Sequence, residues 1–172
     1  MNATIIILRV LHILCGVYWV GTVFFIAQYF EPIVRGMGPA GAPIIQGLQA
    51  RGYFSKMPII AVITVLSGVG LLYIDSSGFS AAWMSSLTGM GLSIGALFGV
   101  AGLGVGLSVM RPTTVRMAKL NQEAQSIPDG PARAAHLAPM AGLRNRITIA
   151  SRWTAALLLV AVVAMSVSRY LV

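Results

Sequence analysis

The residues best suited to chemistry in this chain are Arg9 and His12, three apart in an apolar run, followed by Gly16 four positions on and Trp19 three beyond that. Steps of three and four return to one side of an α-helix, so arginine, histidine, glycine and tryptophan form a single stripe. An ionisable group inside an apolar helix is costly and is expected to have a use. Neutral imidazole is a good axial ligand for haem iron, glycine leaves room for a flat macrocycle, and an arginine nearer the start of the run can pair with a propionate. The stripe is therefore a candidate site for haem b or a related tetrapyrrole, with His12 as iron ligand and Arg9, Gly16 and Trp19 around it. The same residues admit a plainer use, in which His12 hydrogen-bonds a neighbouring helix and Arg9 reaches out to lipid headgroups. Cys15 lies three residues after His12, but no third or fourth ligand for copper or zinc stands nearby, and the other histidine, His136, falls in a distant polar segment.

The elements that must position this stripe follow from composition. Of 172 residues, 57% are hydrophobic and 9% charged, against about 25% charged in an ordinary soluble domain. One compact domain of this length cannot bury so many apolar side chains, so they must face lipid. Four segments reach the roughly 20 apolar residues that a membrane crossing needs: about residues 4–30, 52–74, 88–110 and 149–171. None alternates apolar and polar residues, which excludes the strands of a membrane barrel. The expected fold is an all-α, four-helix membrane bundle forming one domain. Glu31-Pro32 and Arg111-Pro112 are expected to stop the first and third spans, because proline disfavours helical geometry in its predecessor. The start of the chain lacks a basic leader before the first span and carries Arg9 within it, so that span is expected to be retained and not cleaved as a signal peptide.

Charge sets the orientation. The net charge is +8, but the basic residues cluster in the connections, which points to topology and anionic headgroups and away from nucleic acid. Arg35, Arg51 and Lys56 occupy the first connection, and Arg111, Arg116, Lys119, Arg133, Arg144, Arg146 and Arg152 lie in or beside the third; the opposite side has only Arg9 and Arg169. The basic side is expected to be cytoplasmic, with both termini outside. In the long third connection two helix-compatible stretches flank Pro128-Asp129-Gly130-Pro131, so helical extensions are expected there.

The third span carries Gly91, Gly95, Gly99, Gly102 and Gly106 at steps of four, four, three and four. Such a row lets a neighbouring backbone approach closely, and Thr64 with Gly68 on the second span is the expected counterpart. A flexible, substrate-lined groove is the alternative use of the same glycines. The span holds no acid, base or amide, and no strand precedes its glycines, so nucleotide-binding and paired-carboxylate chemistry are excluded. A single cysteine excludes an intrachain disulfide.

His12 followed after six residues by Trp19, then Phe24, Phe25, Arg51, Phe54, Pro58, Thr64 and Gly68, resembles the CopD/HemJ-like superfamily of small bacterial membrane proteins. The likeness covers roughly the first 75 residues; beyond them it is limited to Arg111-Pro112 and a basic lead into the fourth span. The resemblance implies a helical bundle in the cytoplasmic membrane and, for the HemJ branch, haem b held through the first-span histidine, here His12. The chain departs from that branch in having no lysine between Lys56 and Lys119, and in placing Arg144-Asn145-Arg146 where the branch carries a polar pair. Three functions follow as expectations: a haem-binding protein in a redox or haem-handling role, an accessory subunit or homo-oligomer docked through its small-residue rows, or a transporter of copper or a small solute. The orientation is tested by cysteine scanning: a Gly130→Cys variant is expected to react with a membrane-impermeant thiol reagent only from the cytoplasmic side, and labelling from outside would reverse the topology.

Overall fold

The computed structural model describes residues 3–170; Met1, Asn2 and the expected end of the fourth span at residue 171 lie outside the described residues. Most of those residues are helical, with no strand among them. Four long helices, α1 (Ala3–Gly36), α3 (Tyr53–Asp75), α5 (Leu87–Ala124) and α6 (Pro131–Ser168), are long and apolar enough to cross a membrane. Between them lie the shorter α2 (Ala42–Ala50) and α4 (Ala81–Met84). Local chemistry explains the starts. Gly52 supplies the left-handed backbone before α3 (φ 75°), and the hydroxyls of Ser80 and Ser86 accept the free N–H groups of Trp83 and Gly89 at the starts of α4 and α5.

The two proline stops are overturned. α1 continues through Glu31-Pro32 to Gly36, and α5 through Arg111-Pro112 to Ala124. Glu31 (φ −63°, ψ −46°) and Arg111 (φ −58°, ψ −55°) stay helical. In each case a π-helical turn, Ile26–Phe30 or Gly106–Met110, immediately precedes the Xaa-Pro pair. Proline clashes with the carbonyl four residues back and offers no N–H to it; a widened turn moves that carbonyl aside and restarts the α register beyond it. The helical extensions expected in the third connection are present, as the end of α5 and the start of α6 on either side of residues 125–130. With 38 residues each, α5 and α6 are about 57 Å long at 1.5 Å per residue, nearly twice a hydrocarbon core of about 30 Å.

α5 packs most extensively on α6 and α1 on α3, while the α3–α5 and α1–α6 contacts are thinner. Trp19, Ala61 and Leu158 meet at the buried centre, with Met57, Ile60 and Leu103 against them, so all four long helices contribute. Tyr18, Trp153 and Tyr170 are exposed, as are large apolar side chains such as Leu14, Val17, Leu66 and Leu97. That outward apolar surface suits lipid. Buried hydroxyls do not go unsatisfied: those of Thr64, Thr113 and Thr154 donate to the carbonyl four residues back on the same helix.

The glycine row meets α6 and not the second span. A methyl at Gly91 would come within 2.8 Å of the Ser168 Cβ, at Gly95 within 2.5 Å of the Met165 Cγ and 3.1 Å of the Ala161 carbonyl oxygen, and at Gly102 within 3.2 Å of Leu158. Nothing lies within 4 Å of the same point at Gly99 or Gly106. Helical geometry accounts for the split: at about 100° per residue, Gly91, Gly102 and Gly95 fall within roughly 40° of each other, and Gly106 and Gly99 lie further round. Substitution Gly91→Ala is therefore expected to lower stability by about 1–3 kcal/mol through overpacking, and Gly99→Ala to leave it unchanged. Reversible unfolding in detergent checks the contrast; equal effects at the two positions would refute the seam.

Candidate functional site

Antiparallel packing of α1 on α3 brings most of the first-span stripe into register with Thr64 and Gly68. Trp19 lies in the core against Ala61, the point where a Gly16 methyl would begin is 3.5 Å from the Thr64 Cγ2, and His12 covers Gly68. As α1 runs back through 19, 16 and 12, α3 runs forward through 61, 64 and 68. The stripe is thus a helix–helix seam, and Thr64 and Gly68 face His12 and Gly16 where the sequence pairs them with the glycines of the third span. Arg9 stands apart from this seam: it is exposed and enters no ion pair among the described residues.

His12 is the chemical centre of the seam. Its ring is half-buried, and a methyl at Gly68 would come within 2.6 Å of its Cε1 and 2.9 Å of its Nδ1. Only hydrogen at position 68 lets the imidazole lie this close. Nδ1 is 2.8 Å from the backbone carbonyl oxygen of Thr64. A carbonyl can only accept, so Nδ1 carries the proton and Nε2 of the neutral ring keeps its lone pair. The hydroxyl of Ser67 donates to the Ile63 carbonyl at 2.6 Å and also lies 3.0 Å from the Thr64 carbonyl oxygen, so the histidine is the main side-chain donor to that oxygen. Nε2 itself makes no hydrogen bond among the described residues. The bond fixes the ring and its tautomer, a geometry shared by histidines that pack one helix on another and by histidines that ligate a metal.

The remaining candidates are separated from it. Cys15 is a free, half-buried thiol, and no group of three or more histidine, cysteine, aspartate or glutamate residues among those described could hold a metal ion. His136 stands at the other end of the molecule, its Nε2 3.4 Å from a carboxylate oxygen of Glu123, closing the turn between α5 and α6. One polar contact escapes the sequence reading: the Thr148 hydroxyl donates to the carboxylate of Glu31, tying α1 to α6. Glu31 reads as a helix stop when α1 is thought to end there; its use shows only once the helix runs on.

The His12–Gly68 contact makes a specific prediction. His12→Ala is expected to cost about 0.6–2 kcal/mol, the usual worth of an interhelical hydrogen bond in a membrane. Gly68→Ala is expected to be destabilising in the parent chain and nearly neutral in the His12→Ala background, because the methyl no longer meets the ring. A double-mutant cycle by reversible unfolding checks this, and additive effects would separate the two residues. Comparison of the chain with family models, with curated proteins and with solved structures found no match in any of the three.

Proposed function

We propose that this chain is a four-helix bundle of the bacterial cytoplasmic membrane, with both termini outside, and that His12 is the single axial ligand through which it binds haem b or a related tetrapyrrole. The observation that supports the ligand is the Nδ1 bond to the Thr64 carbonyl, which leaves Nε2 as a basic nitrogen without a hydrogen-bond partner among the described residues. The distribution of lysine and arginine along the sequence supports the orientation. His12 and Arg9 fit their parts, as ligand and as cation for a propionate. Gly16 and Trp19 do not line a slot, being closed on α3; the macrocycle would be held at the surface of the α1–α3 seam and not between the two helices. In this reading Thr64 orients the imidazole, Gly68 admits it, and Arg9 supplies charge. Haem bound there would bring one-electron chemistry or be passed on. The likeness of the first half to the CopD/HemJ-like superfamily agrees with the assignment.

A second reading is an accessory subunit of a larger membrane assembly or a homo-oligomer. It is favoured by the seam itself, since the Thr64 bond already gives the imidazole a structural use, and by Gly99, whose outward side none of the described residues fills. Transport of copper or a small solute has less to support it, because His12 and Cys15 lack further ligands nearby.

Purification in mild detergent from cells amply supplied with haem tests both. The haem reading expects a Soret band that is lost in His12→Ala and a haem affinity roughly tenfold weaker in Arg9→Gln. A colourless parent protein, or a band unchanged in His12→Ala, refutes it and leaves the accessory reading, which expects a stoichiometric partner that is released by Gly99→Leu.

A further inference from the structure

Where α5 and α6 leave the apolar layer they diverge into an open groove of about 420 Å³. Its walls are apolar, formed by Val105, Val109 and Ile149, and its outer end carries Asn145 and Arg146, with Trp153 towards the membrane interior. Arg146 is exposed and enters no ion pair among the described residues. Trp153 is 65% exposed on the outside of the bundle. The order along the helix axis is thus a cation and an amide, then aliphatic walls, then an indole. From Arg146 to Trp153 the groove follows α6 for about 10 Å, enough for the upper part of an acyl chain.

We infer that this groove binds one anionic phospholipid, with its phosphate at Arg146 and Asn145 and an acyl chain against Val105, Val109 and Ile149. Charge selects the ligand. A guanidinium without an internal partner pairs with phosphate through its fork of N–H donors, and basic recesses between helices on the cytoplasmic side are suited to anionic headgroups. A soluble phosphate would leave the aliphatic walls unused, and an uncharged lipid would leave Arg146 unneutralised. A glycine keeps the groove open: nothing lies within 4 Å of a methyl placed at Gly142. The inference rests on membrane insertion and is independent of haem at His12.

The test is native mass spectrometry of the full chain released from nanodiscs containing phosphatidylcholine and phosphatidylglycerol. The parent protein is expected to retain one phosphatidylglycerol in preference to phosphatidylcholine. Arg146→Gln is expected to reduce that retention about fivefold. Gly142→Leu, which fills the groove without meeting the protein at its Cβ, is expected to abolish it while helical content is unchanged; Arg116→Gln, outside the groove, is expected to have no effect. Equal losses for Arg116→Gln and Arg146→Gln would reduce the preference to diffuse charge and overturn the site. Dissociation of a dimer by Gly142→Leu with lipid retention intact would assign the groove to a second copy of the chain and overturn it as well.

Discussion

Between apolar helices in lipid there is no water to expel, so cohesion depends on how closely two backbones can approach and on whether each buried polar atom finds a partner. Both conditions are met at glycine. Gly91, Gly95 and Gly102 let α6 lie against α5, with Ser168, Met165 and Leu158 filling the space a side chain would take, and Gly68 lets an imidazole lie close against α3. The two closest helix pairs, α1–α3 and α5–α6, are the two that carry these contacts. Trp19 and Leu158 then join the pairs across the centre.

The seam between α1 and α3 explains why a histidine is tolerated among aliphatic residues. Half of its hydrogen-bonding capacity is met by Thr64, and the carbonyl used belongs to a turn already enriched in hydroxyls, those of Thr64 and Ser67. A leucine of similar size would have no polar requirement and would also have no nitrogen to offer. Imidazole at this place joins two helices by a polar contact that no aliphatic side chain can make.

The positions of the four long helices were legible because uninterrupted apolar runs of this length have one use in proteins. Their ends were not. The effect of Pro32 and Pro112 depends on the turn before each, and a π turn at Ile26–Phe30 or Gly106–Met110 has no marker in residue type that separates it from ordinary helix. The stripe of His12, Gly16 and Trp19 was legible as one face, but equal spacing serves a cofactor slot and a helix seam, and only the register against Ala61, Thr64 and Gly68 tells them apart. The split of the glycine row could have been read in advance from helical angles. Its partner could not, since serine, alanine and leucine on α6 carry no distinctive pattern.

The π turns leave α1 and α5 as rods that pass from hydrocarbon into water without a break in the helix. The boundary of the membrane is therefore written only in side chains: Val105 and Val109 on one side of it, Arg111, Arg116 and Lys119 on the other. No helix end fixes the depth at which such a rod floats. Its vertical position is a balance of grease against charge, and a bilayer that grows thicker or thinner will slide the molecule along its own axis before it bends it.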